Sequence, residues 1–156
     1  MSVEKVKKYF EQFGIADRVI EFDKSSATVE LAAEAVGCEP ARIAKTLSFD
    51  VNGQVILVVT AGDVKIDNSS FKSQFKAKAK MLPPDETVSR TGFAVGGVCP
   101  FAVIEGVSVY LDDSLKRFDT VFPSGGSDNS AIELSIPELE EYIKYTSWVN
   151  VTKPRE

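Results

Sequence analysis

The chain contains no histidine among its 156 residues, and this absence excludes several classes of enzyme. A Ser-His-Asp or Cys-His hydrolase needs an imidazole to activate its nucleophile, so both classes are excluded. The two cysteines, Cys38 and Cys99, cannot supply the other ligands of a typical zinc site, and no metal is expected. They are also too few for a disulfide framework. Chemistry must therefore use lysine, carboxylates, hydroxyls, backbone amides or the substrate itself.

Long apolar runs are also missing. No stretch approaches the roughly 18 apolar residues of a membrane span, so no membrane contact is expected. Residues 1–5 (MSVEK) lack the basic-then-apolar order of a signal peptide, which makes the cytoplasm the expected compartment. The length predicts one domain. Eighteen basic and 23 acidic residues give a net charge of -5, which argues against a non-specific nucleic-acid coat but allows a local basic patch.

Short helical and strand patterns alternate along the chain and predict an α+β domain with a mixed sheet. Helices are expected at 2–13, 28–36, 68–75, 83–91 and 135–145, and strands at 18–22, 44–50, 54–60, 76–80, 107–111, 120–123 and 131–134. Asn52-Gly53 favours a hairpin turn and hence antiparallel pairing of the second and third strands. Residues 56–59 (ILVV) are all apolar, so the third strand is expected to be buried on both faces. In the second helix, Leu31, Ala32 and Ala35 are expected to face inward.

Lys45 is a candidate functional residue because of its place in the second strand. The alternation of Ile43, Leu47 and Phe49 predicts one buried face, and Lys45 falls on the same side. An ammonium on a buried face is unfavourable unless it meets an anion or a cavity. The alternative is a lysine at the sheet edge whose stem lies along the surface while its ammonium reaches water.

Two glycine pairs interrupt the regular pattern, Gly96-Gly97 and Gly125-Gly126. Glycine lets a backbone approach a ligand closely and lets successive amides point in one direction. Neither pair belongs to a dinucleotide-binding or P-loop motif, so no nucleotide cofactor is implied. Two ordinary loops are the alternative interpretation.

Two other features have more than one interpretation. Cys99 could be a nucleophile assisted by Lys45, a residue lining the site, or a buried thiol. The chain's densest positive region is its run of five lysines, which could be a solvated face or a contact for a phosphate backbone. The run comprises Lys65, Lys72, Lys76, Lys78 and Lys80.

Several of these segments together resemble the YbaK/EbsC/ProX family of aminoacyl-tRNA deacylases. The resemblance is carried by residues 31–37 (LAAEAVG), 43–47 (IAKTL), 60–63 (TAGD), 91–101 (TGFAVGGVCPF), 125–126 (GG) and 132–134 (IEL). The Lys-Thr-Leu element is weak alone. The Thr-Gly-(x)3-Gly-Gly-(x)2-Pro spacing makes the match specific.

This resemblance implies a mixed, barrel-like sheet flanked by helices and an activity that hydrolyses wrongly charged tRNA. Family substrates are typically alanine or cysteine on proline tRNA, and the same fold serves as an editing insertion in bacterial prolyl-tRNA synthetases. Residues 1–156 are accordingly expected to form one free-standing editing domain. Aminoacylated proline tRNA is the expected partner, prolyl-tRNA synthetase is a further candidate, and no cofactor is expected.

The resemblance also implies the site residues. Lys45 and Gly97 correspond to catalytic positions of the family. Substrate-binding positions correspond to Thr46, Gly96, Cys99, Pro100, Gly125 and Gly126.

Two departures from the family pattern leave the substrate's side chain open. Alanine-specific members have a histidine in the late loop, which this chain lacks, and cysteine-specific members have an aspartate where this chain has Ala131. A pocket built for proline rejects smaller side chains poorly, because each methylene is worth only about 1–3 kcal/mol, so a second site must remove them. The alternative function is a non-catalytic module that binds tRNA or a synthetase for regulation.

Overall fold

The protein is described by a computed structural model that covers residues 2–23 and 28–155. The α-helices are α1 (Ser2–Glu11), α2 (Val29–Val36), α3 (Asn68–Phe75), α4 (Pro84–Thr91) and α5 (Ile136–Tyr142). The strands are β1 (Ile20–Glu21), β2 (Ile43–Val51), β3 (Gln54–Ala61), β4 (Val64–Ile66), β5 (Ser108–Asp112), β6 (Thr120–Pro123), β7 (Ser130–Ala131), β8 (Leu134–Ser135), β9 (Ser147–Val149) and β10 (Thr152–Pro154). Short 3-10 helices span Ala16–Arg18, Pro40–Arg42 and Asp113–Arg117.

The β2–β3 hairpin is the longest pairing in the sheet, and its turn has the predicted chemistry. Asn52 and Gly53 both have positive φ, 53° and 89°, as a two-residue type I′ turn requires. The Asp50 carboxylate accepts the Gly53 N–H at 2.8 Å and supports the turn. The resulting register pairs Val51 with Gln54 and continues without a break to Ala44 and Ala61.

The hairpin forms the centre of a six-stranded mixed sheet of order β8-β6-β2-β3-β5-β9. Strands β2 and β3 are antiparallel, whereas β6, β5 and β9 join the sheet through parallel pairings. The sheet curls into a half-barrel with helices around it, which confirms the predicted α+β fold with a mixed, barrel-like sheet.

Both faces of the sheet are covered, as the apolar run of β3 predicts. Leu57 and Val59 face the larger core, against which α1 and α5 pack. Ile56 and Val58 face a smaller core that includes Phe71 of α3. All four side chains are at most 4% exposed, so β3 is a fully buried strand.

Helix α2 begins as predicted but presents a different face to the protein. The Thr28 hydroxyl accepts the Leu31 N–H at 3.1 Å and caps the helix. The prediction that Leu31 and Ala35 face inward is wrong, because Leu31 is 44% exposed and Ala35 is exposed. Ala32 and Ala33 are the buried pair, and they pack on Ile43 and Phe122. Small residues on this face let the helix lie close to the end of β2.

The expected strand over residues 76–80 is also wrong in part. This segment bends at Lys76 and Ala77, and it exposes its lysines while Ala79 packs on the smaller core. It forms no regular strand and pairs with the sheet only through an isolated bridge between Phe49 and Met81. Lys76 adopts a left-handed conformation (φ 59°) as the C-cap of α3 and turns the chain into the segment.

Within residues 2–23 and 28–155, no helix is long and apolar enough to cross a membrane. The same residues contain no cluster of three or more cysteine or carboxylate side chains that could hold a metal ion.

A buried carboxylate attaches the C-terminal segment to the sheet. Asp112 is fully buried and accepts the N–H of Ser114 and of Val151, both at 2.9 Å, and the hydroxyl of Thr152 at 2.7 Å. Thr152 begins β10, which pairs antiparallel with β4. Asp112 therefore determines where β10 lies, and β10 in turn holds β4.

We expect Asp112→Ala to lower the free energy of unfolding by about 3 kcal/mol, because it leaves buried donors without an acceptor. Urea unfolding followed by circular dichroism measures this loss. Asp113→Ala is the matched control, since Asp113 is exposed and its one ion pair within residues 2–23 and 28–155 is with Lys116 one turn away. That control should change stability by less than about 0.5 kcal/mol. Equal effects of the two substitutions would show that Asp112 does not anchor the segment.

Candidate active site

Strand β2 pairs with β3 along the whole of one edge, but its other edge is paired only near the two ends of the strand. On the edge away from β3, Ile43 and Ala44 pair with β6. Farther along the same edge, the Ser48 carbonyl accepts the Leu82 N–H at 3.1 Å, and the Asp50 N–H donates to the Lys80 carbonyl at 2.9 Å. Neither partner segment pairs with the residues between these contacts, so a gap opens in the sheet beside residues 45–47.

Thr46 points its backbone into this gap. Backbone polar groups of a strand alternate in direction, and those of Ser48 and Asp50 point away from β3. The N–H and C=O of Thr46 therefore point the same way. The Thr46 side-chain hydroxyl is buried and has no hydrogen-bond partner among the described residues. An unpartnered buried hydroxyl costs about 1–3 kcal/mol, so a ligand that bonded it would recover that energy.

A cavity of about 340 Å³ occupies the gap. Its walls come from α2, β2, the segment before α4, α4 itself and the loops around both glycine pairs. The lining residues are Thr28, Val29, Ala32, residues 43–48, Met81, Leu82, Pro84, Thr87, Val95, Gly96, Val98, Phe122, Ser124, Ser130 and Ala131. This lining is mostly apolar with a few hydroxyls, which is the usual character of a small-molecule site. Among the described residues, the lining contains no carboxylate, and its one cation is Lys45.

Lys45 is half-buried at the cavity wall, on the strand face that also carries Ile43 and Leu47. Its Nζ donates to the Val64 carbonyl at 2.6 Å, which holds the stem in place and leaves further ammonium protons for a ligand. Burial lowers the pKa of Lys45 below its ordinary value, and the charge of Arg155 lowers it further, while Asp63 and Glu30 act in the opposite direction. A desolvated ammonium of this kind interacts strongly with any anion that enters.

The structure brings the two glycine pairs together. A Cβ on Gly97 would lie 2.8 Å from the Cα of Ser127 and 2.9 Å from the carbonyl oxygen of Gly126, so only glycine fits there. Ser124 links the loops, since its hydroxyl bonds the Gly97 carbonyl at 3.4 Å and accepts the Gly126 N–H at 3.1 Å. The two loops therefore pack against each other beside the cavity, and Val95, Gly96, Ser124 and Ser130 are among the residues near the pairs that line it.

The geometry does not support the expected catalytic role of the Gly97 amide. The Gly97 N–H donates to the Ala94 carbonyl at 2.9 Å and closes a turn in which Gly96 has φ 89°, as the third position of a type II turn requires. The N–H groups of Gly125 and Gly126 are also engaged, with Ser130 and Ser124. Among the glycine residues predicted for the site, only Gly96 lines the cavity.

Cys99 and Pro100 lie in the protein interior and not on the cavity wall. Cys99 is fully buried in the larger core, and burial raises the pKa of its thiol to about 12. The thiolate is therefore scarce at neutral pH, and the structure favours the buried-thiol interpretation over a nucleophile or a substrate contact. Of the predicted residues, Lys45, Thr46 and Gly96 meet at the cavity.

Other parts of the wall did not stand out in the sequence. Met81 and Leu82 follow the lysine run, and Phe122 belongs to a short strand with no motif. Ala131 was noted only as a departure from the family pattern, yet it lines the cavity and is 3% exposed. The position that distinguishes family members is thus a wall of the site in this chain.

Comparison with known sequences supports the family resemblance described above. The sequence pattern of the aminoacyl-tRNA editing domain matches residues 23–142. The uncharacterized protein YwhH of Bacillus subtilis (strain 168) is 52% identical over 157 residues, covering all of both chains. A protein of Enterococcus faecalis (strain ATCC 700802 / V583), EbsC, is 28% identical over 136 residues, which cover 85% of this chain and 79% of EbsC. Its name assigns it provisionally as a Cys-tRNA(Pro)/Cys-tRNA(Cys) deacylase.

Comparison with solved structures agrees. A crystal structure described provisionally as a trans-editing enzyme for prolyl tRNA synthetase superposes with a TM-score of 0.87 at 26% identity, covering 97% of each chain. The resemblance noted in the sequence is therefore confirmed by a family match over more than half of the chain and by the fold. On this evidence, the chain belongs to the aminoacyl-tRNA editing domain family.

Proposed function

We propose that this protein hydrolyses the ester of a small amino acid wrongly attached to tRNA, with proline tRNA as the first candidate. The observation that carries the proposal is the half-buried Lys45 ammonium beside an unpaired stretch of β2. It lies at the wall of a small cavity whose described lining residues include no carboxylate. A surface that only docks a partner needs neither a desolvated cation nor a cavity. Membership of the editing family supports the same reaction class.

Thr46 replaces Gly97 as the proposed donor to the ester carbonyl. Its N–H points into the gap next to Lys45, whereas the Gly97 N–H is already bonded. As the carbonyl carbon becomes tetrahedral, its oxygen gains negative charge, and a fixed N–H with a nearby ammonium stabilises that charge. Lys45 can also hold the phosphate of the terminal adenosine, since both roles use its positive charge.

The reaction needs no histidine because an aminoacyl ester is already activated. Water attacks the carbonyl carbon directly, or a thiol or neighbouring hydroxyl of the substrate attacks first and water hydrolyses the thioester or ester that it forms. The tetrahedral intermediate then collapses, the bond to the ribose oxygen breaks, and that oxygen takes up a proton to become a hydroxyl. With water as the nucleophile, the other product is the free amino acid.

Cavity size provides the proposed selectivity. A volume of about 340 Å³ is at the lower end for ligand sites. It accommodates a small aminoacyl group together with part of a ribose. Because proline exceeds alanine by only two carbons, its exclusion would depend on direct contacts of the ring with walls such as Ala131 and Phe122. The domain would act as one unit over residues 1–156, in the cytoplasm, on tRNA released from a synthetase or while bound to prolyl-tRNA synthetase.

We expect the protein to deacylate proline tRNA charged with alanine, cysteine, serine or 2-aminobutyrate. Its kcat/KM for at least one of these should exceed that for the prolyl ester by about tenfold or more. Loss of labelled amino acid from each charged tRNA, corrected for spontaneous hydrolysis, measures this. Equal cleavage of prolyl-tRNA would contradict the proposed selectivity for small amino acids. Cleavage of none of these esters would favour the non-catalytic module.

Lys45→Met should lower kcat/KM by roughly 10²–10³-fold, or about 2.7–4 kcal/mol, because it keeps the stem but removes the charge. The fold should survive, since loss of a half-buried ammonium also removes a desolvation cost. Lys144→Met is the matched control, because Lys144 is exposed on the chain after α5. Full activity of Lys45→Met, or unfolding of the variant in a thermal melt, would make Lys45 a structural residue.

Cys99→Ser should keep most of the activity, because the native thiol is buried and largely protonated. Serine can retain the contact that the Cys99 thiol makes with the Phe101 carbonyl. The deacylation assay with the best substrate measures the outcome, and a thermal melt checks the fold. A loss greater than about a hundredfold in a folded variant would instead support a covalent mechanism through Cys99.

A further inference from the structure

Four lysines between α3 and the cavity are exposed and have no ion-pair partner among the described residues. They are Lys72, Lys76, Lys78 and Lys80, and we call them the lysine strip. The chain as a whole is acidic, and several of its other basic side chains, including Arg18, Arg42, Arg90 and Arg117, are paired with carboxylates. The strip therefore carries positive charge that no direct ion pair among the described residues neutralises, although the Asp50 carboxylate lies close enough to Lys80 for the two charges to interact.

The local structure orders these lysines in a row. Lys72 lies in the last turn of α3, and Lys76 reverses the chain direction as its C-cap. Along the extended segment that follows, Ala79 packs on the smaller core, so Lys78 and Lys80 project to the opposite side. Their backbone positions are about 7 Å apart, since they are separated by two extended residues.

A surface depression lies within the row. Its volume is about 430 Å³, and Lys72 and Lys78 are on its wall together with Asn68, Ser69 and Ala79. Asn68 and Ser69 form the first turn of α3, where backbone N–H groups are free to bind an anion. The nearby Asp67 carboxylate does not cap these N–H groups, and its Oδ2 accepts the Ser70 hydroxyl at 2.9 Å.

The row ends at the cavity. Backbone hydrogen bonds of Lys80 and Leu82 fix the segment against β2, and Met81 between them lines the cavity while 57% of its surface is exposed. Lys78 and Met81 are three extended residues apart, or about 10 Å. A polyanion lying along the strip would thus have its end at the cavity mouth.

We propose that the lysine strip binds the phosphate backbone of the tRNA acceptor arm and guides the aminoacylated 3′ end over Met81 into the cavity. This inference rests on the proposed function. A concave polar depression lined by Lys72 and Lys78 fits a ribose-phosphate chain, and the exposed Met81 offers an apolar surface for a terminal base. A membrane surface would instead call for several apolar side chains beside the cations, and Met81 is the one exposed large apolar side chain among residues 72–81.

The central test is the double variant Lys72→Glu/Lys78→Glu in the full chain. With aminoacyl-tRNA as substrate at low salt, we expect KM to rise about tenfold or more while kcat stays within about twofold. The slope of log affinity against log salt should become shallower by about 1.4–1.8, since each lost phosphate contact contributes about 0.7–0.9. The matched control is Lys8→Glu/Lys144→Glu, which makes the same charge change at exposed lysines of α1 and of the segment after α5.

Two further probes separate this inference from the proposed catalysis. Binding of a fluorescein-labelled, uncharged RNA hairpin with a single-stranded 3′ end, followed by anisotropy, should weaken in the strip variant and not in the control. Hydrolysis of 3′-O-alanyl adenosine, which has no phosphate backbone, should be equal in the strip variant and the native protein. If the native protein cleaves no ester, the proposed function fails, while the RNA-binding measurement still decides the strip.

Three results would overturn the inference. One is an unchanged KM and hairpin affinity in the strip variant, which would make the strip a solvated face. Another is an equal loss in the control variant, which would make net charge the cause. The third is binding to phosphatidylserine vesicles that depends on Lys72 and Lys78, with no such dependence for RNA.

Discussion

The gap in the pairing of β2 is the feature on which the rest of the site depends. Two prolines mark its ends. Pro123 is the last residue of β6 paired with β2, and Pro83 follows the last residue of the segment that pairs beyond the gap. Leu82 donates its N–H to β2, so the next N–H to face that strand would belong to residue 84, and Pro84, which begins α4, has none to donate. Three residues of a central strand thereby keep one edge open to a ligand without loss of the β2–β3 hairpin.

The position of Lys45 depends on contacts far along the chain. Its ammonium donates to the carbonyl of Val64 in β4, and β4 is held by antiparallel pairing with β10. Strand β10 in turn begins at Thr152, whose hydroxyl is bonded to the buried Asp112 carboxylate. Because each contact is short and buried or half-buried, Asp112 fixes the position of Val64 and so of the lysine stem. The C-terminal residues thus belong to the support of the site although none lines the cavity.

Much of the fold could be predicted because it follows from local patterns. Asn52-Gly53 determines the hairpin, and period-two alternation places Lys45 correctly relative to Ile43 and Leu47. The inward face of α2 could not be predicted from its own sequence. Ala33 replaces Ala35 on that face because the helix packs against Phe122, a contact between residues distant in the chain.

The site could be predicted only in outline for a similar reason. The glycine pairs were identified, and they do meet, but the sequence does not show where each N–H is directed. The Gly97 N–H is hydrogen-bonded to the Ala94 carbonyl within a turn. The N–H that faces the cavity is that of Thr46, a strand residue with no distinguishing motif. Only the hydrogen-bond partners in the folded chain distinguish an available amide N–H from one that is already bonded.

Electrostatics explain how an acidic protein without histidine can present a strong positive charge at one cavity. Surface carboxylates make the net charge negative, yet Arg18, Arg42, Arg90 and Arg117 are each paired with one, which limits their field to short range. Lys45 differs because burial removes it from screening water and lowers its pKa, so its charge acts strongly at the cavity wall. The lower pKa also limits this electrostatic effect, because it brings the pH at which Lys45 loses its charge closer to neutrality. Asp63 and Glu30 oppose the shift, but Asp63 is bound by Arg117, so Lys45 has no direct carboxylate partner among the described residues to occupy its remaining donors.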